Sequence, residues 1–312
     1  MMRMIQKMKN DFLTMIEQAD TIAITGHVRP DGDCVGSTVG LYNYIISNYD
    51  KQVQIYLEEF SKDFLFLHDA DKISHTPTDQ VYDLCIAVDC GDKERQGDFL
   101  PIFERAKSTM CVDHHISNPG FGEVCYVDAE ACSAAEALYK LMEQDKINKN
   151  AAEALYMGIV HDTGVFKHSN TTKSAMSIAG DLIEKGANPS FIIDETFYKK
   201  TFVANKLLGI ALTKAEQHAD GRIISTVLET EDFRKSGAGK IDTDGIVDQL
   251  RITEGTETAV FIYQTGEDEY KISLRSNNIV DVSRISCNHG GGGHVRAAGF
   301  SMKGDIKEIL AG

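Results

Sequence analysis

Short apolar runs of strand length recur through the first third of the chain, each followed by helical or loop sequence: "TIAITG" from Thr21, "QVQIYLE" from Gln52, "YDLCIAVDC" from Tyr82 and "STMCVDHH" from Ser108. Strand-length runs separated by helical segments predict a parallel sheet covered by helices, with segments such as "GSTVGLYNYIISNY" as the crossovers. Residues 132 to 185 read as mostly helical, in "SAAEALYKLMEQ", "NAAEALYMGIVHD" and "TKSAMSIAGDLIEKGAN", the last closed by a glycine stop at Gly186. From about Gly221 the texture changes to "RIISTVLE", a helix around "IDTDGIVDQLRI", then "ETAVFIYQ" and "EYKISLRS". The fold class expected is therefore α/β: an N-terminal parallel sheet flanked by helices, a smaller mixed α+β C-terminal domain, and a cleft between them. The boundaries read as 1–189, a helical linker at 190–217, and 218–312. A length of 312 residues suits two such domains.

The polar residues concentrate where these strands end. "IAIT" runs into Gly26, His27, Asp31 and Asp33; "LCIAV" into Asp89; "TMCV" into Asp113, His114 and His115. Ligands of open parallel sheets bind outside the carboxyl ends of the strands, so these clusters are expected on one edge. Asp162, ending the helix "GIVHD", is placed to join them. Several carboxylates brought together repel unless cations neutralise them, and two divalent ions balance four aspartates. Oxygen and imidazole donors without thiolate suit manganese, with magnesium or cobalt as substitutes. The seven cysteines form no CxxC pair, which argues against a thiolate zinc site or a disulfide framework and for a reducing compartment.

These motifs, "GHVRPDGDCVGS", "AVDCGD", "VDHHISN", "GIVHDTGVFKHSNTT" and "GGGGHVRAAGF", resemble the successive signatures of the DHH phosphoesterase superfamily. The likeness is strongest to the bacterial branch with a DHH-associated C-terminal domain, which includes nanoRNases and pAp phosphatases. Carried over position by position, it implies that His27 and Asp31 hold one metal, that Asp33, His114 and Asp162 hold the other, and that Asp89 bridges them. It implies that His115 faces the scissile phosphate, with Asp113 orienting it. It also implies that Arg275, Ser276, Gly291, Gly292, Gly293 and His294 hold the substrate's terminal phosphate or sugar. The glycine run is expected to let backbone amides approach an anion, with His294 at a helix start. Arg29 and Cys34 carry no assigned role.

Charge narrows the substrate. With 32 basic against 47 acidic residues, a net of −15, the chain lacks the basic surplus needed to track long nucleic acid. The expected substrates are short RNA oligonucleotides, cut to 5′-mononucleotides, and small nucleotides such as pAp and pApA. A hydroxide held between the two metals would attack phosphorus in line. The alternatives are a phosphodiesterase for pApA or cyclic-di-AMP, a pyrophosphatase, against which the "GGGGH" signature speaks, and a non-catalytic nucleotide-binding module. No apolar run approaches the length of a membrane span, and the amino-terminal "MMRMIQKMKN" is too charged for a signal peptide, so a cytoplasmic protein is expected. A homodimer is left open.

Overall fold

The computed structural model describes residues 2–306. The chain divides into two compact units, Met1–Lys199 and Lys200–Gly312. In the first, α1 (Met2–Gln18) leads to β1 (Thr21–Thr25), α2 (Gly32–Asn48) and β2 (Gln52–Tyr56). Then follow β3 (Leu84–Val88), α3 (Leu100–Arg105), β4 (Ser108–Asp113) and β5 (Val124–Val127), and finally α4 (Ala134–Leu141), α5 (Lys149–Asp162), α6 (Lys173–Glu184) and α7 (Pro189–Ile193). The five strands form one parallel sheet in the order β2-β1-β3-β4-β5.

All five residues of β3 are buried, as the unbroken apolar run predicts. Ile22, Ile24, Ile86, Val88 and Val112 belong to a core shared with α2, α4 and α5, while Ala23, Cys85 and Ala87 meet Phe99, Ile102 and Phe103 on the opposite face. Each fully buried large aliphatic side chain contributes roughly 1.5–3 kcal/mol, so this two-sided burial fixes the strand register firmly. Because β2 and β3 leave β1 on opposite sides, the sheet reverses direction between β1 and β3. That is the point at which a doubly wound sheet opens a crevice beyond its strand ends.

Helices α2 and α5 touch backbone to backbone at two glycines. A Cβ on Gly36 would lie 2.5 Å from the Ala154 carbonyl oxygen, and one on Gly158 would lie 2.6 Å from Asp33 Oδ1. This approach brings the start of α2, with Asp33, to the end of α5, with Asp162.

The second unit holds α8 (Phe202–Thr213), β6 (Glu216–His218), β7 (Ile223–Leu228), α9 (Thr230–Ser236), α10 (Ile246–Arg251), β8 (Thr258–Gly266), β9 (Glu269–Ser276), α11 (Val282–Asn288), β10 (Gly292–His294) and β11 (Ala297–Lys303). Its mixed sheet runs β10-β11-β9-β8-β7-β6, with β7 and β8 parallel and the other neighbours antiparallel.

Two expectations are corrected. Residues 190–217 are not a separate linker: α7 closes the first unit, while Leu207 and Ala211 of α8 are fully buried in the core of the second. Apolar residues at helical spacing suit a connector and a buried face alike, and in α8 they form a buried face. The glycine run does not start a helix either; Gly292–His294 is a strand folded back on β11. Among the described residues, no helix is long and apolar enough to cross a membrane.

Candidate metal centre

His27 follows directly from β1 and is almost wholly buried. Its Nδ1 lies 2.9 Å from the Val28 carbonyl, which only accepts, and 3.4 Å from Arg95 Nη2, which only donates; the shorter contact places a proton on Nδ1, and Nε2 turns to the carboxylates. Nε2 stands 3.7 Å from Asp31 Oδ1 and 3.4 Å from Asp89 Oδ2. Asp31 caps α2, its Oδ1 accepting from the N–H groups of Asp33 and Cys34, each at 3.1 Å. The proline and glycine around it are thus a helix-entry turn that also presents a carboxylate.

Asp33 is fully buried. Its Oδ2 accepts from Ala134 N at 2.6 Å and its Oδ1 from Ala135 N at 3.1 Å, so the positive end of α4 holds it in place. Burial, followed by the charges of Asp89 and Asp162, pushes its pKa well above the ordinary carboxylate range.

Asp89 sits one residue beyond β3 with φ +59°, a left-handed conformation that costs a non-glycine residue of order 1–3 kcal/mol. The Asp89 N–H donates to the Val112 carbonyl at 3.0 Å, which ties this turn to β4. The two oxygens of Asp89 face opposite ways: Oδ2 lies 3.4 Å from His27 Nε2, and Oδ1 lies 3.4 Å from His114 Nε2. The buried Oδ1 accepts no hydrogen bond from any described residue. His114 Nε2 is also 3.2 Å from Asp162 Oδ2 and 3.9 Å from Asp33 Oδ2. Burial raises the Asp162 carboxyl, and although His114 opposes this, the charges of Asp89 and Asp31 help to bring it up to about 7.

Beside this cluster, His115 Nδ1 lies 2.8 Å from Asp113 Oδ1. Asp113 is fully buried, and its other oxygen accepts from Asn118 Nδ2 at 2.7 Å. Burial raises the Asp113 carboxyl, but His115 and Asn118 together hold it below its ordinary value. The half-exposed His115 is thereby fixed by one ring nitrogen, with the other left to face outward.

The geometry fits divalent cations. An orphaned, buried carboxylate oxygen lies at the centre, and burial together with the surrounding carboxylate charges raises Asp33 and Asp162, while His27 and two backbone N–H groups hold Asp31 down at about 2 against its burial. Burial lowers His27 and His114, yet the surrounding carboxylates hold both imidazoles above their usual range, His114 at about 10. The same lone pairs that bind these protons bind metal when it displaces them. The donor atoms of Asp33, His114 and Asp162 lie within 4.8 Å of one another, as do those of His27, Asp89 and Cys34. Cys34 is a member that sequence reasoning left without a role; burial pushes its thiol up to about 11, so at neutral pH it is a protonated group packed under the site. Asn118 is a second, lying in the quoted "VDHHISN" with no signal to single it out.

The six residues expected to contact substrate belong to the second unit. Arg275, near the end of β9, is 3.3 Å from Asp248 Oδ1, and Arg251 lies 3.4 Å from the same oxygen. Ser276 Oγ donates to Glu257 at 3.0 Å. Glu257 also gathers the backbone N–H groups of Asn278, Ile279 and Val280, which fixes the loop after β9. In the glycine run, the amides of Gly290 and Gly291 donate to the Cys287 and Ser286 carbonyls that end α11. A Cβ on Gly291 would run into the Gly299 carbonyl, so this glycine permits the close approach of β11. Gly292, Gly293 and His294 are exposed.

A doubly wound sheet carrying Asp113, His114 and His115 at the end of one strand, with matching carboxylates beyond two others, defines a phosphoester hydrolase of the DHH type. Residues 21–159 match the DHH family, N-terminal domain, and residues 219–311 match the DHHA1 domain, so the chain belongs to the DHH phosphoesterases that carry a C-terminal DHHA1 domain. It is 28% identical over 300 residues to the bifunctional oligoribonuclease and PAP phosphatase NrnA of Bacillus subtilis, covering 95% of this chain and 93% of that one. Its identity to the protein of the same name from Thermus thermophilus is 28% over 297 residues, covering 91% and 84%. An exopolyphosphatase-related protein from Bacteroides fragilis shares the fold, with a TM-score of 0.82 and 24% identity across 98% of this chain and 94% of that one.

Proposed function

We propose that this chain cuts short oligoribonucleotides to 5′-mononucleotides and removes the 3′-phosphate of pAp, using two divalent metal ions, with manganese preferred, in the cytoplasm. The observation that carries the two-metal reading is Asp89, whose two oxygens each face a different histidine. The substrate reading rests on the relatives named oligoribonuclease and PAP phosphatase, which align over nearly the whole chain.

In this reading His27 and Asp31 hold one ion, Asp33, His114 and Asp162 hold the other, and Asp89 is shared between them. The ions supply Lewis acidity, lowering the pKa of water and offsetting charge on phosphate oxygens. The chain's own residues do the rest. His115, locked by Asp113, donates to a phosphate oxygen from its outward nitrogen, where charge grows as phosphorus is attacked. Asp113 is a positioning residue, kept ionised by His115 and Asn118. Arg275, Gly292, Gly293 and His294 bind the nucleotide, while the buried Ser276 supports them by holding Glu257 and the loop after β9, and Gly291, its amide already used, serves by letting β11 approach closely. Displacing Asp248 from Arg275 would free a guanidinium fork for a phosphate.

A panel of pAp, pApA, cyclic-di-AMP, a five-residue RNA and pyrophosphate, compared by initial rate with manganese, tests the proposal. The RNA and pAp should turn over fastest. Turnover of pyrophosphate alone would overturn it, and a dominant rate on pApA or cyclic-di-AMP would move the substrate to the cyclic-dinucleotide class.

A further inference from the structure

Cys111 and Cys125 are directly opposed partners in the parallel pair β4 and β5. Partners in register project to the same face, with their Cα atoms about 4.8 Å apart, inside the roughly 4.4–6.8 Å range that a disulfide spans. Cys111 is buried, while Cys125 lies partly exposed on the edge strand of the sheet. The loop entering β5 turns at Gly120 and Gly122, both with positive φ, and the Gly120 N–H donates to Asn118 Oδ1 at 2.8 Å. The neighbouring Cys111 thiol, helped by the Phe121 N–H and opposed by burial and the Asp113 charge, brings Cys125 down to about 7, which leaves it the more reactive of the two.

One side chain links this pair to the site. Asn118 Nδ2 lies 3.6 Å from Cys111 Sγ, 2.7 Å from Asp113 Oδ2 and 3.0 Å from the Cys90 carbonyl. We propose that Cys111 and Cys125 form a reversible disulfide on exposure to a peroxide, and that this bond slows phosphoester hydrolysis by disturbing the hold of Asn118 on Asp113 and His115. The second half of this inference rests on the function proposed above.

The chemistry balances. The Cys125 thiolate attacks a peroxide oxygen; an S–O bond forms, the O–O bond breaks, and the departing hydroxide takes a proton to leave as water. Cys111 sulfur then attacks Cys125 sulfur; the S–S bond forms, the S–O bond breaks, and the hydroxyl leaves as water with the Cys111 proton. Two thiols and one peroxide give one disulfide and two waters. A dithiol reductant reverses it by thiol–disulfide exchange, returning both thiols.

The test uses the full, manganese-loaded chain titrated with hydrogen peroxide, quenched with an alkylating reagent and read by intact mass, peptide mapping and initial rate on pAp. The expected result is a loss of two hydrogens, mapped to Cys111 and Cys125, with a roughly tenfold fall in rate that dithiothreitol restores. Cys125→Ser, with Cys125→Ala as the check on folding, should keep the reduced protein's rate and lose both responses. The exposed Cys287 serves as an internal control, because its oxidation adds oxygen instead of removing hydrogen. Absence of the two-hydrogen loss, or a bridge mapped elsewhere, overturns the pair, and a bridge that leaves the rate unchanged overturns the coupling. A reduced protein inactive on every nucleotide that still forms the bridge supports the pair and refutes the proposed function instead.

Discussion

Replacing Asn118 with alanine removes a single side chain that holds the buried Asp113 from behind. The hydrogen bonds to Asp113 Oδ2 at 2.7 Å, to the Cys90 carbonyl at 3.0 Å and from the Gly120 N–H at 2.8 Å go with it, and the first, made to a fully buried carboxylate whose other oxygen is already engaged by His115, outweighs the two backbone contacts, which water can replace. A hydrogen bond to a charged group contributes about 1.5–3 kcal/mol, and water entering the truncated space recovers part of it, so about 2 kcal/mol is the expected loss of stability. For a unit of this size that corresponds to a fall of roughly 4–8 °C in Tm. The kinetic consequence is more specific. Asp113 stays ionised but loses one of its two restraints, so His115 is less well aimed at a developing charge. Turnover of pAp should fall about tenfold at near-constant KM, the pattern of an interaction made in the transition state. Thermal unfolding of the metal-loaded protein and steady-state kinetics on pAp give both readings. A Tm within about 1 °C of the parent, together with unchanged kcat, would refute the chain of support from Asn118 through Asp113 to His115.

Three further outcomes follow from other parts of the structure. Gly158→Ala places a methyl group 2.6 Å from Asp33 Oδ1 and 2.7 Å from Ala135 Cβ, and should cost about 1–3 kcal/mol by calorimetry while weakening manganese binding measured by titration. Glu257 is held down to about 2, first by the Val280 and Ile279 N–H groups, so its stabilisation is complete above the ordinary carboxylate pKa and is lost progressively as pH falls from there through about 2. The Tm gap between the parent and Glu257→Gln should therefore be widest near about pH 6 and narrow by about pH 3. Arg275→Ala should raise KM for pAp about tenfold or more with a smaller change in kcat, and an unchanged KM would remove Arg275 from the substrate contacts.

The parallel sheet was legible because four strand-length runs alternate with helical segments, β1 and β3 most plainly, whereas the short edge strand β5 carried no such signal, and the candidate site was legible because Asp89, His114 and Asp162 stand where apolar stretches stop abruptly. A polar residue at such a stop has no core to enter and must face the crevice. Asn118 was hidden because its partners, Asp113 and Cys111 of β4 and Cys90 in the turn beyond β3, meet only in the folded sheet. Helix α8 was misread for a related reason: Leu207 and Ala211 announce a buried face, but nothing near them names the sheet that buries it. The glycine run shows the limit most clearly. Its composition permits an anion cradle, yet the amides of Gly290 and Gly291 go to the end of α11, and that depends on where the hairpin with β11 closes.

The central claim is that Asp89 is shared between two cations, and the most direct measurement is manganese bound per chain, by equilibrium dialysis and elemental analysis, for the parent and Asp89→Ala. Two ions in the parent, at most one in the variant, and hydrolysis of pAp reduced by at least about a thousandfold is the predicted result. A parent that binds a single ion, or an Asp89→Ala protein that keeps two and turns over at near the parent rate, would contradict it.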